Sequence, residues 1–477
     1  MAIRPTQAST YSQVSRGLIQ NFSSLARAQL QVSSGKRILK PSDDPAGSTL
    51  MLSFKRSLAS SERYVDAINS GRTMLDSGAS SLQDATGILS EARALVLQGM
   101  NGPLDPQDRQ LIASEIALIR DRMLDIANTQ LGDRYLFAGT ATGERPFQEE
   151  VVGGKSTVSY RGNNQAHELL VGQDITVRTT VPGDNVFKQQ QRTGMGFSGL
   201  TGLTTGVSAN QGVGYTLVTV DHTSTTATLG SGLALVNGGA SDTIMGDHTL
   251  VVDAAAGTVQ LDGGVAKKLP LPGDPNLADF KVMGDNGAEL HLDFSGFTGA
   301  NYSGTVRGDG TISLDGQPPI PLTLTETDLE LKDPSSGTVL RLDTTSVRRA
   351  GEELVTFDGA VDVFDTLQGI IDGLNNTSGL PVEDLQDRFG VWLGELDRNH
   401  DNVLAAAGTL GSRSRRLTDM EESISDLTLQ VEGLLSNVED ADFSQVVLEM
   451  TRAEQTLELA QATSVRLMNT SLLNFLR

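Results

Sequence analysis

A seven-residue repeat constrains this chain most tightly. Ile68, Leu75, Leu82, Leu89 and Val96 recur at that interval, and a small residue (Gly71, Gly78, Ala85, Ala92 or Gly99) follows each by three places. Seven residues make nearly two α-helical turns, so the large side chains line one stripe of a long helix. The small residues beside them let a second helix come close. Each glycine costs about 1 kcal/mol of helix propensity relative to alanine, so such a helix persists only against a partner. The pattern predicts a helix from about Asp44 to Met100.

Both ends of the chain supply helices that want partners. Residues 6–33 carry a seam of Tyr11, Val14, Leu18, Leu25, Ala28 and Val32 on three- and four-residue steps, with Asn21 as a polar exception. Gly35 and Pro41 stop that helix. Ser42 or Asp43 then stands where a cap for the next helix is needed, with Pro45 in its first turn. "NGPLDPQD" (101–108) reads as a turn restarting a helix after Pro106, striped by Ile112, Ile116, Ile119, Met123 and Ile126. Helical texture returns near Val361. "VFDTLQGIIDGLNN" predicts a helix ending near Asn375, and a longer one runs from Pro381 toward Leu435, with a break expected at Gly408–Gly411. A last helix follows "NVEDAD". Its seam is Phe443, Val446, Met450, Ala453, Leu457, Ala460, Ser464, Leu467 and Ser471.

The middle follows a different period. From Gly132 to about residue 346, segments such as "STVSYRG", "HTLVVDA", "GTVQLDG", "ELHLDF" and "GTISLDG" (310–316) alternate apolar and polar residues between Gly/Asp/Asn turns. Asn237-Gly238 and Asp315-Gly316 are hairpin signals. "QQQRTGMGFSG" (189–199) reads as an internal boundary. The fold class expected is α+β: N- and C-terminal helices side by side, with β-rich structure inserted at the far end.

Composition narrows the function. The formal net charge of -22 argues against nucleic-acid or anionic-membrane partners. Charge is uneven, since residues 1–60 hold eight Lys/Arg against two Asp/Glu. The absence of cysteine excludes disulfides and thiolate zinc sites. No apolar run approaches the ~20 residues of a membrane helix. The N-terminus lacks the apolar core of a cleaved secretion signal, which points to the cytoplasm or to export that needs no cleaved signal.

Candidate chemistry is sparse. "DRNHDN" (397–402) starts like a calcium loop, but Asn402 stands where glycine is needed and Gly408 where glutamate is needed. "GDNGAELHLD" (284–293) and "GDGTISLDG" (308–316) read as hairpin turns. "RSRRL" (413–417) is a basic cluster on a helix with acidic neighbours. Asp43-Asp44 has no carboxylate or histidine close in sequence and reads as capping. No phosphate loop, nucleophile elbow or paired-histidine motif occurs. The expectation is a chain without catalytic residues, metal or cofactor.

Three segments carry a family resemblance. "SSGKRILKPSDDPAGS" (33–48) resembles the junction after the first helix in bacterial flagellin-like axial proteins. Its P-S-D-D-P form is similar to that of the family's hook–filament junction members, since flagellins tend to have alanine where Pro45 stands. "RYLFAGTATGERPF" (134–147) resembles the family's passage from long helices into β-hairpins. "EMTRAEQTLELAQATSVRLMNTSLLNFLR" (449–477) resembles its shared terminal helix. The likeness covers about residues 1–150 and 360–477.

The resemblance implies a secreted structural subunit of the flagellum, exported by the flagellar type III route. It implies three layers. Residues 1–40 with 442–477 form an inner terminal coiled coil, disordered in the free monomer. Residues 41–180 with 350–441 form a helical second layer with β-hairpins, and 181–349 a β-rich outer insert. Val14, Leu18, Leu25, Val32, Phe443, Val446, Met450, Leu457 and Leu467 would be the assembly interface. Pro41, Asp43, Asp44 and Pro45 would be the joint between layers. The implied partners are copies of the chain in a ring, a neighbouring hook-associated protein, flagellin, and an export chaperone on the C-terminal helix. Within the family, flagellin itself is the alternative. A surface adhesin or an enzyme carried by the insert are rivals from other classes.

Overall fold

The computed structural model describes residues 7–100, 105–152, 155–188, 190–192, 194–315, 317–376 and 382–475. Its helices are α1 (Gln7–Ser34), α2 (Pro45–Met100), α3 (Pro106–Ala127), α4 (Asp184–Phe187), α5 (Val363–Asn375), α6 (Val382–Glu439) and α7 (Phe443–Phe475). The chain divides into two compact units. One comprises residues 1–72, 169–177 and 415–477; the other comprises 73–168 and 178–414. The division falls inside α2 and α6.

In the first unit α1 lies along α7. In the second, the α2 repeat does what its spacing requires. Leu75, Leu82, Leu89 and Val96 are buried, as are Ala85 and Ala92. A Cβ on Gly78 would lie 3.1 Å from Leu410 of α6, and one on Gly99 would lie 3.2 Å from Leu374 of α5. The small residues are thus the places where neighbouring helices come closest. The expected break at Gly408–Gly411 does not occur, and α6 runs unbroken for 58 residues. Val403, Ala407, Leu410 and Leu417 bury one face of it, and that packing outweighs the weak propensity of two glycines.

The segment 134–147 builds an aromatic core beside these helices. Phe137 and Phe147 lie 5.6 and 5.4 Å from Phe187 of α4, and Phe147 lies 5.7 Å from Phe364 of α5. Phe147–Val152 then pairs with Lys155–Tyr160 as a β-hairpin. Asp362 caps α5, accepting from the Phe364 amide at 2.7 Å, and its other oxygen meets Lys188 Nζ at 2.9 Å.

Burial, aided by the charge of Asp365 and opposed by Lys188, pushes the Asp362 carboxyl up to about 7. An unfolded aspartate titrates near 4. Between those values the folded chain holds a proton that the unfolded chain has lost, so stability falls as pH rises through that window. This group should remove roughly 2–4 kcal/mol between pH 4 and pH 7.5. Urea titrations across that range should show the slope, and Asp362→Asn should flatten it.

The insert is antiparallel. Its main sheet runs Lys267–Lys268, Thr258–Leu261, Gly246–Asp253, Tyr302–Leu314, Tyr215–Ala227, Gly351–Thr356, Gly196–Ser198, with Ile320–Pro321 also pairing to Tyr302–Leu314. Two apolar clusters form on it. One gathers Leu250, Val252, Val259, Leu261, Leu290 and Leu292; the other gathers Val218, Val220, Ile312, Leu314, Leu340 and Phe357. Strands continue to Val361, beyond the expected limit near 346. The boundary read at 189–199 is where the chain enters this domain. Gln190–Arg192 pairs with Gly359–Val361, and Gly196–Ser198 with the end of Gly351–Thr356. Buried ion pairs flank these strands, with Arg192 Nε 2.6 Å from Glu395 and Arg388 Nη1 3.1 Å from Glu352.

Two turn readings need correction. Asn237-Gly238 makes no hairpin. Both residues have positive φ inside the single 3-10 turn Val236–Gly239. Residues 310–314 are in a strand, as the alternation in "GTISLDG" predicts, but Gly308-Asp309 are not a turn before it: Tyr302–Leu314 runs through them in the longest pairing of the sheet. Their glycines mark close backbone approach: a Cβ on Gly308 would lie 2.0 Å from the Ile244 carbonyl oxygen, and one on Gly310 2.2 Å from that of Asp221. The chain does turn at Asp315, and Ile320–Pro321 pairs back onto the strand, while Gly316 lies outside the described residues. Residues 284–288 turn as expected, with Gly287 at positive φ.

Candidate functional site: two helix joints closed on each other

The basic–acidic stretch after α1 meets the acidic break before α7. Gly35, with φ +68°, ends α1 in a conformation that disfavours side chains. Lys36 then bridges Asp440 in antiparallel fashion. The Arg37 amide donates to the Glu439 carbonyl at 2.7 Å, and the Ala441 amide to the Gly35 carbonyl at 2.9 Å. Side chains reinforce this short pairing. Lys36 Nζ lies 2.9 Å from Asp440 and 3.4 Å from Glu439, and Lys55 Nζ lies 2.9 Å from Glu439. Arg37 donates twice to the Val438 carbonyl, at 2.8 and 3.2 Å, and reaches Asp44 at 3.2 Å. Residues four hundred positions apart in sequence are thereby fastened together.

Of the residues read as caps in the first joint, one caps and the others do not. Asp44, not Ser42 or Asp43, caps α2. Its Oδ1 accepts from the Gly47 amide at 2.9 Å, and Pro45 is the first helical residue. Asp43 instead holds the loop, accepting from the Leu39 and Lys40 amides at 3.2 and 2.9 Å and facing Arg27 at 3.4 Å. Pro41 and Pro45 are exposed. The Gly47 amide, then Arg37, holds the Asp44 carboxyl below its ordinary range. Ser436, then Lys36, does the same for Asp440, and Asp440 raises Lys36 in turn.

The seam beyond the joint is largely filled within the chain. Val446 is 6% exposed, and Val14, Leu18, Leu25, Val32, Met450 and Leu457 are half-buried where α1 and α7 run together. Phe443 does not join them. It follows the cap formed by Asp442 on the Ser444 amide and is 65% exposed. The side chain of Leu467 lies outside the described residues. A second set of large apolar residues stays exposed: Ile19, Phe22 and Leu30 on α1, with Leu448, Leu459 and Val465 on α7. That set was not legible in the seam pattern, nor were Lys36, Arg37, Glu439 and Asp440 as partners. The matching charges of "GKR" and "NVEDAD" were the available signal.

The other candidate motifs are absorbed by structure. In 397–402, Asp397 pairs with Arg93 at 2.7 Å and buried Asn399 donates to Thr366 at 3.1 Å, both from inside α6. No helix among the described residues is long and apolar enough to cross a membrane.

Each joint lies within a recognisable region. Residues 6–142 match the bacterial flagellin N-terminal helical region, and residues 393–476 match the bacterial flagellin C-terminal helical region. The two ends of this chain are thus similar to the two helical ends of bacterial flagellin. Between these flagellin-type ends lies the β-rich insert. Flagellar hook-associated protein 3 of Escherichia coli is 29% identical over 181 residues, which is 37% of this chain and 54% of that protein. Polar flagellin F of Vibrio parahaemolyticus is 28% identical over 133 residues, 28% of this chain and 35% of that protein. The crystal structure of the flagellar junction protein from Legionella pneumophila aligns over 82% of this chain and 99% of its own, at 17% identity and a TM-score of 0.45. The chain spans about half the length of the hook-associated protein it matches.

Glu439 is the shared anion of the paired joints, buried between two half-exposed lysines. Glu439→Ala should cost about 1 kcal/mol, because exposed partners are well screened. Faster hydrogen exchange at the Arg37 and Ala441 amides, with the second unit unaffected, would register the loss.

Proposed function

We propose that this chain is a structural, non-enzymatic subunit of the bacterial flagellum that joins hook to filament as an adapter ring. The pairing of α1 with α7, closed by the two joints, carries the reading. It brings both flagellin-type ends into one bundle whose outer side still exposes Ile19, Phe22, Leu30, Leu448, Leu459 and Val465. A monomer with so many large apolar side chains in water gains by covering them with neighbours. The P-S-D-D-P form of the joint and the likeness to hook-associated protein 3 favour the junction over the filament. Flagellin itself is the second reading, supported by the likeness of the same ends to polar flagellin.

On this proposal residues 1–40 with 442–477 form the inner layer, 41–180 with 350–441 the second, and 181–349 face outward. The subunit leaves the cell by the flagellar export route, with a chaperone covering the C-terminal helix until then. It contacts other copies of itself, a hook-associated protein and flagellin, and engages neither nucleic acid nor membrane.

The test uses the purified full chain at high concentration, with and without filament seeds or isolated hook ends, read by electron microscopy and sedimentation. Binding to hook ends without long polymer, followed by growth of flagellin on top, is the expected result. Long filaments of this chain alone would assign it to the filament instead.

A further inference from the structure

The basic run 413–417 is not accounted for by the joints or the seam. Arg413 projects from α6 into a cleft of about 560 Å³ whose other walls come from residues 164–168 and 178–185. All of these belong to the second unit. Arg413 is half-buried, and its Nη1 donates to the Thr180 carbonyl at 3.3 Å. It makes no ion pair among the described residues. The carboxylate lining the cleft, Glu168, is already engaged by Arg178 Nε at 3.1 Å. Burial and the charge of Arg178 both push the Arg413 pKa down, as expected of a cation without a counter-ion. A guanidinium offers five donors in a planar fork, a geometry that suits a carboxylate and satisfies several donors at once.

We infer that this cleft receives an acidic side chain from a second copy of the chain, held between Arg413 and Arg178. The inference rests on the self-assembly proposed above. Charge complementarity selects the occupant: each copy carries 59 Asp and Glu against 37 Lys and Arg, so an approaching copy presents mainly carboxylates.

The experiment measures association of the chain on isolated hook ends by sedimentation at several salt concentrations. It compares wild type with Arg413→Gln, Arg413→Lys and Glu168→Gln. Arg413→Gln should raise the half-association concentration about tenfold and weaken its salt dependence. Arg413→Lys should recover part of the loss. Glu168→Gln, which frees Arg178, should tighten association about threefold, a gain that misfolding does not produce. Phenylglyoxal should modify Arg413 in the free chain and spare it in the assembly. If wild type assembles and Arg413→Gln and Glu168→Gln match it at every salt concentration, the cleft assignment is wrong and the assembly reading stands. If wild type does not associate at all, both fall. If millimolar succinate protects Arg413 from phenylglyoxal while assembly does not, the site is for a small dicarboxylate and the second-copy assignment is overturned.

Discussion

Leu457→Asp should detach α7 from α1 and abolish assembly while leaving the second unit folded. Leu457 sits half-buried in the α1–α7 seam with Val446 and Met450. A carboxylate placed there must be partly desolvated. That costs on the order of 3 kcal/mol, and two helices held along one seam have little else to offset it. Proteolysis within residues 7–34 should accelerate sharply. Trp392, the single tryptophan, lies in the other unit and packs 4.7 Å from Tyr215, so its emission should not change. Phe443→Asp is the control, because Phe443 is exposed at the start of α7 and should leave the pairing intact. Normal incorporation of Leu457→Asp would remove the seam from the assembly mechanism.

The second large effect is expected inside the sheet. Gly308→Val places its Cβ 2.0 Å from the Ile244 carbonyl oxygen, which belongs to backbone and cannot rotate away. The strand Tyr302–Leu314 pairs on both sides, with 246–252 and with 218–227, so a displacement there disturbs two ladders at once. A loss of roughly 3–5 kcal/mol should appear as a lower urea midpoint for the second unit. Gly143→Ala, where a Cβ meets nothing within 4 Å, should be close to neutral by the same measurement. Equal midpoints for the two variants would mean that the approach of residue 244 is not structurally required.

These glycines also show where sequence reasoning reached its limit. Helices were legible because their information is periodic and local. The α2 repeat, the seam of α7 and the caps near Asp44 each announce themselves within a few turns. Gly308 and Gly310 carry the same letters as a turn, yet the reason for them is backbone over sixty residues away, at Ile244 and Asp221, which the local pattern does not name. Gly408 and Gly411 erred in the opposite direction. They look like a helix break until the burial of Leu410 and Leu417 is seen. The joint was half legible. Its prolines and acidic pair stood out, but the docking of Lys36 and Arg37 onto 438–440 depends on two chain ends meeting, which neither stretch specifies alone.

The pairing of Gly196–Ser198 with Gly351–Thr356 brings Gly196 opposite Thr356. Residues facing each other across an antiparallel pair lie about 5 Å apart, so the 159 intervening residues leave the body of the protein almost where they depart from it. Such a domain behaves as a cassette. A tight turn, a shorter β unit or a foreign domain with adjacent termini could be spliced between those two positions without changing the length or register of any helix. The part of the molecule that faces outward on the proposed arrangement is therefore free to be exchanged, and the ends that pack together need not register the exchange.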